Sequence, residues 1–161
     1  MRYPLFIGLC LLLLASCKSE PAPVGFESPS ATVDSLFRAY GVQEMTQAEA
    51  RRRLQARERF ELLDGDLFRS CFSDWQGEHD QALGGFIFGQ LVAAKEDMKI
   101  SMNGDVAKVE VAPDNPDIQP VVIVKQLNAW KIDLRQSVPA KIRQGLYEVY
   151  RRARRAERQA R

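Results

Sequence analysis

The sequence predicts an α+β fold in which N-terminal helices pack on a curved four-stranded antiparallel meander, with a further helix at the C-terminus. Three observations predict it. Between residues 30 and 94 apolar side chains recur with the three-and-four spacing of amphipathic helices. From residue 98 to 134 they alternate one in two, as half-buried strands do. After Pro139 the helical period returns, accompanied by a run of arginines. Helices first and strands afterwards put the helices over the apolar face of a single sheet.

The chain has 161 residues, of which 45% are hydrophobic and 27% charged, enough for one ordinary domain and against disorder. It opens with MRYPLFIGLCLLLLASC, a head carrying Arg2, an apolar run from Leu5 to Leu14 and small residues before Cys17. That order is the pattern of a secretory signal, and a ten-residue helix rises only about 15 Å, half the hydrocarbon core it would have to span. Residues 1–16 are therefore expected to be a cleaved signal peptide. Leu14-Ala15-Ser16-Cys17 resembles the lipobox of bacterial lipoproteins, which implies a diacylglyceryl group on Cys17 and a bacterial envelope location. By the same resemblance Lys18 after the cysteine favours the periplasmic face of the outer membrane in a host with two membranes. Two or more acyl chains hold a protein stably on a membrane. Residues 17–29, with three prolines and a glycine, read as a lipidated tether.

The elements follow in order. Helix one is predicted from Pro29 or Ser30 to Tyr40, with Val33, Leu36, Phe37 and Tyr40 on one face and Gly41 as its stop. Thr46-Gln47-Ala48-Glu49 reads as a capping box opening helix two, with pairs Glu49–Arg53 and Arg57–Glu61 along it. Asp64-Gly65-Asp66 punctuates the chain before a helical stripe of Leu67, Phe68, Cys71, Phe72 and Trp75. A further helix runs from about Asp80 to Ala94, weakened by Gly84, Gly85 and Gly89. Met98, Ile100 and Met102 form the inward side of the first strand, and Asn103-Gly104 turns the chain. Ala107, Val109 and Val111 face inward from the second strand, and Trp130, Ile132 and Leu134 from the fourth. Val121 to Val124 is apolar on both faces, so Val121 and Ile123 are expected on the charged side, under the C-terminal helix or a second subunit.

GDVAKVEV and AWKIDL, placed after a lipobox and a helix such as SATVDSLFRAYG, resemble the bacterial lipoproteins of unknown function that share the nuclear-transport-factor-like, or SnoaL-like, cone fold. The resemblance covers residues 30–138 in order and spacing and implies a cone-fold domain there. Enzymes of that fold carry titratable groups inside the cone, where an apolar wall can raise a carboxylate's pKa. The inward strand positions named above hold none, and Glu110 and Asp133 alternate onto the charged face.

Other chemistry is thinly supported. His79 is the single histidine, Ser73 stands off its face, and no Gly-x-Ser-x-Gly elbow exists. Cys71, Asp74, Glu78 and His79 make a poor zinc set, and Cys71 reads as a buried hydrophobe. No metal, cofactor or catalytic residue is assigned. Tyr40, Phe72 and Trp75 are candidates to line a cavity for a small apolar ligand, the alternative being plain core.

The helix expected over residues 139–161 is the most unusual segment. Ile142, Leu146, Val149 and Tyr150 provide an apolar stripe, and Arg151, Arg154, Arg155 and Arg158 share one side. Four guanidinium groups in a row suit phosphates of anionic lipid or an acidic envelope partner; nucleic acid is a poor candidate in the envelope. The net charge of +2 hides this division: residues 17–140 carry 14 basic and 19 acidic groups, residues 141–161 carry 8 and 2. The expectation is a membrane-anchored, non-enzymatic binding or scaffolding module. A small-ligand binder, or an enzyme with a helix-borne or loop-borne group, is the alternative.

Overall fold

The first amides of a helix have no partner within it, and four elements here begin where a side chain supplies one. Ser28 Oγ accepts from Ala31 N at 3.1 Å, Thr46 Oγ1 from Glu49 N at 3.2 Å, Asp64 Oδ1 from Leu67 N at 2.9 Å and Asp133 Oδ1 from Gln136 N at 2.7 Å. In the computed structural model, which describes residues 21–115 and 117–160, these caps open α1 (Pro29–Ala39), α2 (Gln47–Gln55), α3 (Gly65–Ser70) and α5 (Leu134–Ser137). A 3-10 turn (Glu78–Asp80) leads into α4 (Gln81–Ala93), and α6 (Ala140–Gln159) closes the chain. Cys17 and the apolar segment before it lie outside the described residues.

Strands β1 (Lys99–Asn103), β2 (Val106–Glu110), β3 (Val121–Gln126) and β4 (Ala129–Ile132) form the expected antiparallel meander in sequence order. Gly104, at φ +58°, takes the first central position of the two-residue turn between β1 and β2, which most residues could not occupy without strain. The fold is thus the α+β arrangement expected, with α1 to α4 before the sheet and α5 and the C-terminal α6 after it.

Register decides which strand residues enter the core. Ala107 pairs with Ile123, Val109 with Val121, and Ile123 with Ile132, so all share one face and all are fully buried. This corrects the expected position of Val121 and Ile123. They lie inside, and Val122 and Val124 take the outer face opposite Lys108 and Lys131. β1 departs further, because Ile100 and Met102 point to the core side yet stay 38% and 61% exposed. Neither side chain joins the buried core.

The two sheet edges differ. Trp130 N donates to Phe26 O, Ile132 N to Cys71 O and Ser73 N to Ile132 O, so the chain before α1 and the chain after α3 cover the outer edge of β4. This pairing also ends α3 at Ser70, whereas the stripe predicts a helix through Trp75. Phe72 leaves to bridge Ile132. Among the described residues nothing pairs with the outer edge of β1.

Two smaller expectations fail for local reasons. α2 stops at Gln55 and Arg57 turns to φ +55°, which removes the helical Arg57–Glu61 pair. Glu49 lies 3.8 Å from Arg53 as expected, and the Thr46 half of the capping box is formed. Leu134 begins α5 instead of ending β4, because Asp133 caps a turn there.

The core between α1, α3 and α4 is ringed by aromatic side chains. Tyr40 stacks on Phe88 with ring centres 3.8 Å apart, Phe68 meets Phe72 and Trp75 edge-on, and Phe72 stacks on Trp75. Gly84 of α4 makes room for them, since a Cβ there would stand 2.4 Å from Phe68 Cζ and 2.9 Å from Phe72 Cζ. A glycine that lowers helical propensity is kept where a ring crosses the backbone.

Candidate functional site

The chain between α3 and α4 carries Asp74, His79 and Asp80, and the C-terminal segment brings Arg135, Arg143, Tyr147 and Tyr150 against them. Asp74 receives the start of α5. Its Oδ1 accepts from Leu134 N at 2.9 Å and its Oδ2 from Arg135 N at 3.2 Å, and Arg135 Nη1 donates to Oδ2 at 2.5 Å. The same guanidinium nitrogen donates to Asp74 O at 2.7 Å. The hydrogen bond to Asp74 raises the Arg135 pKa above its already high value, so its charge is permanent.

Asp80 is fully buried. Its Oδ2 accepts from Gln76 N at 2.8 Å and its Oδ1 from Tyr147 Oη at 2.8 Å, with Arg135 Nη2 at 3.9 Å and His79 Nε2 at 3.6 Å from that same oxygen. A buried carboxylate is tolerated only when so surrounded. Burial, then the hydrogen bond to Asp80, pushes the Tyr147 hydroxyl up to about 12, so it stays a donor at neutral pH. Arg143 Nη1 donates to Arg135 O at 2.8 Å, a second tie between α6 and the body.

On the solvent side of this strut lies a groove of about 690 Å³. One wall is His79; the other is a face of α6 made by Ala140, Arg143, Gln144, Tyr147, Tyr150 and Arg151. The rings of His79 and Tyr147 meet edge-on with centres 5.4 Å apart. Among the described residues neither Arg143 nor Arg151 makes an ion pair, whereas Arg51, Arg53, Arg69, Arg135, Arg152 and Arg154 each have a carboxylate within 4 Å. No carboxylate is among the residues that line the groove, and Asp80 behind Tyr147 is already held by Tyr147 and Gln76. The groove therefore presents net positive charge framed by rings.

The residues singled out from the sequence fall in different places. Arg151 lines this groove, and with Arg155 it lines a second, smaller one of about 260 Å³ beside Glu148 and Arg152. Arg154 pairs with Glu157 at 3.2 Å, and Arg158 Nε donates to Arg154 O. α6 is exposed on every side from Arg151 to Gln159, and Ile142 and Val149 are 38% and 64% exposed, so its stripe is only partly packed. Tyr40, Phe72 and Trp75 belong to the aromatic cluster around Phe68 and line neither of the grooves named here. A third groove, of about 430 Å³, runs between α4 and the loop before β3 past Gly85, Phe86, Gly89, Gln90, Val111 and Ile118. The Oε1 of Gln90 is buried and has no hydrogen-bond partner among the described residues.

Cys71 and Ser73 are both engaged away from His79. Burial pushes the Cys71 thiol up to about 12, and Cys71 Sγ donates to Leu67 O inside the core. Ser73 Oγ donates to Ile132 O at 3.3 Å, tied to the sheet edge. Among the described residues no three His, Cys, Asp or Glu side chains are grouped to hold a metal ion.

The Asp80–Tyr147 pair joins residues 67 apart in sequence, and no local pattern announces it. The groove face had a signal: Arg143, Tyr147, Tyr150 and Arg151 stand at i, i+4, i+7 and i+8. Compared with protein-family models, curated proteins and solved structures, the chain finds no match in any of the three.

Proposed function

We propose that this chain is a lipid-anchored protein of the bacterial cell envelope that acts as a non-enzymatic binding or scaffolding module. Cys17 is its anchor, residues 17–29 its tether, and the α6 face with the groove beneath it its binding surface. The observation that carries the reading is the charge of that groove. Arg143 and Arg151 face it without ion pairs, and the one buried acid behind it holds Tyr147 in position and does not point into the open space. A site of this kind holds an anion through its guanidinium groups. The helix-then-meander order is in keeping with the cone-fold lipoproteins that the sequence resembles. Among the described residues no helix is long and apolar enough to cross a membrane. By the lipobox resemblance, Lys18 directs the protein to the periplasmic face of the outer membrane in a host with two membranes.

The test is fractionation. In cells the wild-type chain is expected in the membrane fraction and released by detergent, and Cys17→Ser is expected in the soluble fraction. Unchanged partitioning of Cys17→Ser overturns the anchor. The second reading, a binder of a small apolar ligand, is favoured by the groove at Gly85 and Gly89 with its unpartnered Gln90 oxygen. It moves the expected pocket away from Tyr40, Phe72 and Trp75.

A further inference from the structure

We infer that the groove between His79 and α6 seats the phosphate headgroup of an anionic phospholipid at a membrane surface; this rests on reading the chain as a membrane-held binding module. Arg143 and Arg151 are separated by eight residues, a rise of about 12 Å along the helix, with Tyr147 and Tyr150 between them. Guanidinium groups bind phosphate oxygens through paired N–H donors, and tyrosines settle where an apolar layer meets a wet one. The Tyr147 hydroxyl is spent on Asp80, so its ring is fixed as a wall, while Arg143 spends Nη1 on Arg135 O and makes no ion pair among the described residues, and neither does Arg151. Arg135, committed to Asp74 and Asp80, takes no part and keeps the wall in place.

One feature favours a lipid over a dissolved phosphate. The arginine row continues past the groove through Arg154, Arg155 and Arg158 on the same side of α6, extending the positive face beyond the reach of one small ligand. A surface of anionic headgroups offers phosphates along that whole length. The bound phosphate lies between Arg143 and Arg151.

The experiment uses the full chain carrying Cys17→Ser, so that no acyl anchor contributes. Its sedimentation with vesicles of phosphatidylcholine alone is compared with vesicles of phosphatidylcholine mixed with phosphatidylglycerol. Any adherence of the apolar leader is common to both, and the difference is the readout. Salt-sensitive binding to the mixed vesicles is expected. Arg143→Gln with Arg151→Gln is expected to weaken it about thirtyfold, at the usual contribution of a basic side chain near an anionic surface. Arg52→Gln with Arg59→Gln, the same charge change on the opposite part of the chain, is expected to weaken it far less. Circular dichroism of all variants checks that α6 is retained. Equal loss with both pairs, equal binding to the two vesicle types, competition by inorganic phosphate at the same concentration as by lipid, or a changed oligomeric state in place of changed binding would each overturn the assignment. Failure of the anchor is read separately, from cell fractionation, and leaves this result standing.

Discussion

Tyr40 and Tyr147 are both pushed up to about 12, and they show that two regions of the molecule are held by opposite means. At Tyr40 the cause is burial alone: the ring stacks on Phe88, and no hydrogen bond to its hydroxyl is formed among the described residues. At Tyr147 burial is joined by a 2.8 Å bond to the buried Asp80. The aromatic core gains from excluded water and close packing, which are non-directional, so it has many small supports. The strut beneath α6 gains from a few directed bonds, each of which leaves a costly orphan when removed. Core and strut should therefore respond differently to loss of one group.

The largest effect is expected in the core. Phe68 is buried among Tyr40, Phe72 and Trp75, and Phe68→Ala should cost about 3–5 kcal/mol in urea unfolding, with the whole domain weakened together. Asp80→Ala should cost less, about 2–3 kcal/mol, and act locally. Gln76 N and Tyr147 Oη lose their acceptor, so hydrogen exchange should quicken across residues 140–150 while α1 and α4 stay protected. Equal loss of protection in α1 would merge the two regions into one cooperative unit.

The smallest effects separate the tyrosines. Tyr147→Phe is expected to cost about 1.5 kcal/mol and Tyr40→Phe within about 0.5 kcal/mol. Alkali offers a second comparison. Tyr40 and Tyr147 titrate at about 12 in the fold against an ordinary 10, and Cys71 at about 12 against 9. A raised pKa contributes stability below the unfolded value and loses it as pH climbs, so unfolding should grow easier from pH 9 to pH 12. Tyr147→Phe should flatten that fall between pH 10 and pH 12, and an unaltered slope would mean that its hydroxyl is not held by Asp80.

Much of the architecture was legible because it is written locally. Ser28, Thr46 and Asp64 stand where helices need acceptors, Gly104 where the hairpin needs a positive φ, and the strand period where one face is buried. What escaped depends on partners distant in sequence. Nothing near Phe72 says that it will leave a helix to join Ile132, and nothing near Ile100 says that it will stay outside the buried core. The placement of Val121 and Ile123 turned on a register with β2, and alternation alone leaves the choice of face open when both faces are apolar. For the site, the arginine row was visible and Asp80 was not: a row is a period, whereas a buried acid is identified by the Tyr147 and Arg135 that meet it.

The unequal edges of the sheet set a limit on self-association. Chain segments already occupy the outer side of β4, and among the described residues β1 alone offers free amides and carbonyls. A strand can be added there once. If the added strand were β1 of a second copy, the joined sheet would end in β4 on both sides, so growth would terminate at a pair instead of running on into a fibre.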